Sequence, residues 1–90
     1  MLRGEVEISN HLGLHARAAA KLVKTAGQYS SKIMLMRKDG SVTANAKSIL
    51  SVLSLAASKG VSLTLTVEGD DEKEAFASIS ALFQSGFGEV

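Results

Sequence analysis

From Gly4 to Ser9 the chain alternates, with Val6 and Ile8 on one side and Glu5 and Glu7 on the other, the period of a half-buried strand. Asn10 to Leu14 breaks this pattern around Gly13. From Ala16 to Ala26 the period lengthens to that of a helix. Ala16, Ala19, Ala20, Val23 and Ala26 supply an apolar stripe, and Arg17, Lys21, Lys24 and Gln28 the polar one. Gly27 stands where a helix C-cap is expected. Lys32 to Arg37 is a short apolar run, and Asp39-Gly40 signals a hairpin into a partner strand over Ser41 to Ala46. A shorter helix fits Ser48 to Ala57 through Ile49, Leu50, Leu53 and Ala56, with Gly60 closing it. Val61 to Val67 is the clearest strand, with Val61, Leu63, Leu65 and Val67 facing one way and Ser62, Thr64 and Thr66 the other. Asp71 with Glu74 three residues on has the spacing of a capping box. The helix it opens buries Ala75, Phe76, Ile79, Leu82 and Phe83 and ends at Gly86 and Gly88.

The order is β-α-β-β-α-β and then a terminal helix. Alternating strands leave one sheet face polar, so all three helices are expected on the other. This is an α+β fold, an open-faced β-sandwich. Periodicity leaves the strand order open, and a ferredoxin-like arrangement fits the first six elements equally well.

Composition narrows the function classes. Ninety residues are enough for one core, and no repeat, linker or proline divides them, so a single domain over 1–90 is expected. Ten basic and nine acidic residues leave a charge of +1, and only 4% of the chain is aromatic. A protein built to coat nucleic acid needs more positive charge, and a small RNA-binding domain needs aromatic side chains on its strands. Cysteine is absent, which excludes disulfides and thiolate chemistry. No run reaches the ~18 apolar residues of a membrane span. Arg3, Glu5 and Glu7 lie where a secretory signal needs an apolar run, so the expected location is cytoplasmic.

The residues best suited to chemistry are His15 and Arg17. His15 falls between Gly13 and the first turn of the first helix, where backbone N–H groups lack intrahelical partners and the helix dipole adds partial positive charge. An imidazole beside such an end, with a guanidinium two residues on, suits the holding of a phosphoryl group. The same positive potential disfavours imidazolium and is expected to leave a neutral ring with a free lone pair. His11 stands four residues before His15, a metal-ligand spacing on a helix, but Gly13 interrupts it and no cysteine or nearby carboxylate completes a site. Neither a metal nor a cofactor is expected, and Lys21, Lys24 and Lys32 read as a solvated face.

The string Gly13-Leu14-His15-Ala16-Arg17-Ala18-Ala19 resembles the active-site motif of the HPr family, the phosphocarriers of the bacterial phosphotransferase system. Ala46-Lys47-Ser48-Ile49-Leu50, the turn Ala57-Ser58-Lys59-Gly60 and the stretch Glu68-Gly69-Asp70-Asp71-Glu72 also resemble that family, in order and at its spacing. Leu12 and the ending Ala81 to Phe87 are more similar to the nitrogen-related NPr branch, whereas Lys47-Ser48-Ile49-Leu50 is more similar to the carbon-related one.

The resemblance implies that His15 is phosphorylated on Nδ1 by enzyme I, which draws on phosphoenolpyruvate with its own magnesium, and passes the group to a histidine of an EIIA-type protein. Arg17 would neutralise phosphate charge, and the amides of Ala16 and Ala18 would complete the cradle. Such a chain is a monomeric protein substrate of other enzymes more than an enzyme itself. The implied sheet is fully antiparallel in the order first, fourth, second, third, in place of the ferredoxin-like one. The implied docking face for enzyme I and acceptors holds Ala20, Lys24, Gly27, Ile49, Leu50 and Leu53, although simple core packing fits Leu53 better.

Two positions carry a second reading. Where the family motif has proline, this chain has Ala18, which is expected to cost ~0.4–1 kcal/mol through unfolded-state entropy, to loosen the first turn and to leave transfer competent. Ser48 is a helix N-cap by residue type. The resemblance adds that HPr kinase/phosphorylase modifies the matching serine in many members, which would place charge on an apolar docking surface. A regulatory protein-binding module of the same fold, controlled at Ser48, is the alternative function, and the intact His15–Arg17 pair argues against it.

Overall fold

The computed structural model describes residues 1–89. Strand β1 (Leu2–Glu7) is followed by helix α1 (Ala16–Ala26), strands β2 (Lys32–Arg37) and β3 (Thr43–Asn45), helix α2 (Ile49–Leu53), strand β4 (Ser62–Glu68) and helix α3 (Glu72–Gln84). A single 3₁₀ turn, Gly86–Gly88, comes last. The strands form one sheet in the order β1-β4-β2-β3, antiparallel throughout, which is the order the family resemblance implies and removes the ferredoxin-like alternative.

Register puts the apolar alternates in rows. Val6 lies opposite Leu63 on one side of β4, and Leu65 lies opposite Leu35 and Val67 opposite Ile33 on the other. Because the strand period is two, this single register sends all six side chains to the same face. There α1, α2 and α3 cover them, and the sheet residues pack with Leu22, Val52, Leu55, Ile79 and Phe83 in one core. Each fully buried aliphatic or aromatic side chain contributes about 1.5–3 kcal/mol.

The helices differ from their sequence reading in phase more than in place. α1 has the expected bounds, but its buried stripe runs through Ala18, Ala19, Leu22 and Ala26. Ala16 and Ala20 point outward and Val23 is half-buried, because Leu22 outweighs the small alanines in setting the inward face. Gly27 is the C-cap residue but keeps right-handed dihedrals, φ −65° and ψ −15°. α2 is only five residues long: Val52 alone is buried within it, and the chain leaves the helix at Ser54 with Ala56 at φ 48°, ahead of the expected stop at Gly60. Leu53 is therefore 36% exposed, and the core position expected for it belongs to Val52 and Leu55.

At α3, Asp71 holds the N-cap position but its side chain makes no capping bond, so the expected capping box does not form. Its carboxylate instead accepts from Ser30 N–H at 2.9 Å, Ser31 N–H at 3.0 Å and Ser31 Oγ–H at 2.5 Å, which ties the α1–β2 connection to the start of α3. These three donors, the Ser31 hydroxyl foremost, hold the Asp71 pKa below the ordinary carboxylate value of 3.8.

Candidate functional site

The loop from Ile8 to His15 is pinned from both sides before α1 begins. Ile8 exchanges backbone bonds with the α2–β4 connection, donating to Val61 O at 2.9 Å and accepting from Gly60 N–H at 2.8 Å. Leu14 N–H donates to Ala57 O at 2.9 Å. Gly13 makes this approach possible. It sits at φ +68°, and a Cβ there would lie 2.6 Å from the same Ala57 oxygen, inside contact distance. The buried Asn10 amide donates to Gly13 O at 2.8 Å and closes the turn.

His15 emerges from this loop as the N-cap of α1, with extended dihedrals, φ −77° and ψ 179°. Its ring does the capping: Nδ1 accepts from Arg17 N–H at 3.3 Å. The first intrahelical bond runs from Ala19 N–H to His15 O at 2.8 Å, so the N–H groups of Ala16, Arg17 and Ala18 precede the helical ladder. No acidic residue occupies this first turn. The His15 ring and the Arg17 backbone N–H are thus in contact, with Nδ1 directed at the amides.

The sequence reading missed what lies on the other ring nitrogen. His15 Nε2 is 2.8 Å from Glu89 Oε2, and Asn10 donates its second amide hydrogen to Glu89 Oε1 at 2.9 Å. Seventy-four positions separate histidine and carboxylate, so no local spacing points to the pair. The signal present in the sequence is the Gly86-Phe87-Gly88 turn. All three residues have positive φ, 61°, 58° and 73°, and fold the chain end back over α1. Phe87 is buried edge-on against Phe83, with ring centroids 5.0 Å apart. Lys21, exposed as the sequence reading has it, also fixes the turn by donating Nζ–H to Phe87 O at 2.7 Å. The Glu89 pKa is held below the ordinary carboxylate value of 4.5, chiefly by the Asn10 amide and then by the His15 N–H and the charges of His15 and Arg17. The Glu89 carboxylate on Nε2 thus lies across the ring from the helix start on Nδ1, a contact absent from the sequence reading.

Around this centre a shallow depression is lined by His11, Leu12, Arg17, Lys21, Gly88 and Glu89. Ala20, Lys24 and Gly27 are exposed along one line of α1, and Ile49 and Leu50 are 40% and 78% exposed on α2, which packs against α1. Ser48 is the half-buried N-cap of α2 and its Oγ accepts from Ser51 N–H at 3.4 Å. Among the described residues, no helix is long and apolar enough to cross a membrane.

An open-faced sandwich of this strand order, with a histidine capping its first helix, defines a class of small phosphocarriers. The chain belongs to the HPr family, whose role is phosphoenolpyruvate-dependent phosphotransfer: a family model described as "PTS HPr component phosphorylation site" matches residues 2–85. It is 45% identical over 89 residues to the phosphocarrier protein HPr of Xylella fastidiosa Temecula1, covering 99% of this chain and 98% of that protein. It is 42% identical over 84 residues to the phosphocarrier protein NPr of Klebsiella oxytoca, covering 93% and 92%. The crystal structure of HPr-C-His from Thermoanaerobacter tengcongensis superposes with a TM-score of 0.93 at 43% identity, covering 100% of this chain and 99% of that one.

Proposed function

We propose that His15 takes a phosphoryl group on Nδ1 from phosphoenolpyruvate-charged enzyme I in the cytoplasm and passes it to a histidine of an EIIA-type protein. The observation that carries this reading is the ring's position: Nδ1 caps a helix start that has no acid of its own and accepts from the Arg17 amide at 3.3 Å. A phosphoryl group on that nitrogen meets the N–H groups of Ala16, Arg17 and Ala18, while the Arg17 guanidinium supplies full charge. Such a cradle holds a dianion without enclosing it, as a carrier that must surrender its cargo requires.

The docking face of the same reading comprises Ala20, Lys24 and Gly27 on α1 with Ile49, Leu50 and Leu53 on α2. The exposure of Leu50 and Ile49 supports it, since small apolar surfaces beside lysines suit brief encounters with acidic partners. Ser48 caps the helix that presents these residues. A phosphate placed there by HPr kinase/phosphorylase would add charge beside Ile49 and Leu50 and weaken docking.

Intact mass after incubation with enzyme I, magnesium and phosphoenolpyruvate tests the carrier role. One acid-labile phosphoryl group is expected on the wild type and none on His15→Ala. A wild type that gains nothing from several enzyme I paralogues sinks the reading, and a regulatory binding role then takes its place.

A further inference from the structure

We infer that Glu89 is a positioning residue for His15: it holds the proton on Nε2, so that the Nδ1 lone pair faces the incoming phosphoryl group, and it stabilises the charged ring that the transfer creates. The inference rests on the carrier reading and adds a residue to it.

The contacts on the two ring nitrogens agree. Nδ1 lies 3.3 Å from a backbone N–H and must accept from it, which requires a lone pair there. Nε2 lies 2.8 Å from a carboxylate oxygen and must donate to it, which requires a proton there. Only the Nε2–H tautomer satisfies both. The carboxylate is itself held in place, since its second oxygen accepts from the Asn10 amide at 2.9 Å and that amide's other hydrogen is committed to Gly13 O. Asn10 is 2% exposed, and its own Oδ1 has no hydrogen-bond partner among the described residues. The buried amide is thus turned to serve Gly13 and Glu89 at the expense of its oxygen, which is the mark of a fixed relay from Asn10 through Glu89 to His15.

The chemistry follows without any proton transfer. The Nδ1 lone pair forms the new N–P bond as the bond from phosphorus to the donor protein's histidine nitrogen breaks, its electron pair returning to that ring. His15 is left as a phosphoimidazolium whose Nε2–H still donates to Glu89. A cationic ring is a good leaving group, so the carboxylate that favours it keeps the phosphoryl group transferable in both directions. The like-charge repulsion between Glu89 and the phosphoryl group acts across the ring, with Arg17 beside both, whereas the attraction acts through a direct charge-assisted hydrogen bond.

Nitrogen-15 NMR of the uncharged protein and transfer kinetics on Glu89→Ala and Glu89→Gln test the inference together. The expected wild-type spectrum has His15 protonated on Nε2, with an exchange-protected proton shifted far downfield. In Glu89→Ala that protection is lost and the transfer rate falls about tenfold, the size expected for one hydrogen bond to a charged group. Glu89→Gln keeps an acceptor but no charge, so it retains part of the protection while its transfer stays slow. A proton on Nδ1, or Glu89→Ala with wild-type transfer and an unchanged Nε2–H signal, overturns the inference. Failure of the wild type to accept any phosphoryl group removes the carrier reading instead, an outcome distinct from a charged wild type that loses nothing on removal of Glu89.

Discussion

Helices α1 and α3 satisfy the positive charge of a helix start in opposite ways. At α3 the acids are local: Asp71 stands at the N-cap and Glu72 and Glu74 occupy the first turn. Asp71 and Glu72 are used up within the fold, the first on the Ser30 and Ser31 donors and the second on Gly69 N–H at 3.2 Å. At α1 the first turn has no acid, the cap is an imidazole, and the carboxylate that meets it, that of Glu89, lies seventy-four positions away in the chain. The comparison separates two uses of one physical feature. A helix start neutralised by its own neighbours is a structural joint, whereas one whose amides remain ahead of the helical ladder can receive a charged group that comes and goes.

The largest effect is expected from breaking the placement of the α1 start. Gly13→Ala puts a Cβ 2.6 Å from Ala57 O and 2.9 Å from Ser58 Cα, at a φ of +68° that alanine disfavours. A loss of at least about 2 kcal/mol is expected, because left-handed strain and a backbone collision add. Denaturant unfolding measures it, and phosphoryl transfer should fall as His15 shifts. A variant as stable as the wild type shows that the loop has another path into α1. The corresponding change at Gly40, φ +76° with nothing within 4 Å of an added Cβ, serves as a strain-only control.

A smaller, pH-dependent effect sharpens the α3 side. Folding lowers the Asp71 pKa, so its contribution is fully present above the ordinary value of 3.8 and is lost as the pH falls through the lower folded value. Asp71→Asn should therefore melt below the wild type at neutral pH, and the gap should narrow and then close as the pH falls below the ordinary carboxylate value of 3.8. Transfer through His15 should be unaffected at a temperature where both proteins are folded. A gap in melting temperature that stays constant down to acid pH assigns the loss to packing and removes the charge argument.

The two helix starts also differ in how far the sequence disclosed them. His15 and Arg17 were legible because a glycine, a cap and a helix period lie within one local stretch, and the sheet was legible because strict alternation in Val61 to Val67 admits one inward face. Strand order was not, since periodicity says which face is buried but not which strand lies beside which, and it came from the resemblance. The phase of α1 was misread because four alanines and a valine give a weak stripe, and Leu22 decides it. Asp71 and Glu74 had capping-box spacing, but two serine donors forty positions away compete better for the carboxylate. Glu89 was invisible for the same reason: its partner is set by the reversal at Gly86 to Gly88, a tertiary event with no sequence period.

The smallest effect concerns Ala18, where two physical terms compete. Its side chain is fully buried in the inward stripe of α1, so added atoms risk overpacking, which costs about 1–3 kcal/mol where space is lacking. Proline, however, adds its ring atoms on the nitrogen side, and the Ala18 N–H precedes the first helical bond, so no ladder bond is lost. The ring also restricts the unfolded chain, which favours folding by about 0.4–1 kcal/mol. In a domain of this size that is a rise of roughly 2–8 °C in melting temperature. Ala18→Pro should show this rise by calorimetry, with a transfer rate within about threefold of the wild type, because Arg17 and the remaining amides still face Nδ1. A fall in melting temperature means that overpacking wins and that the core beneath α1 is built around alanine. A rate gain beyond about tenfold means that alanine leaves the first turn too loose, and the uncompensated start of α1 then works below the capacity that its geometry allows.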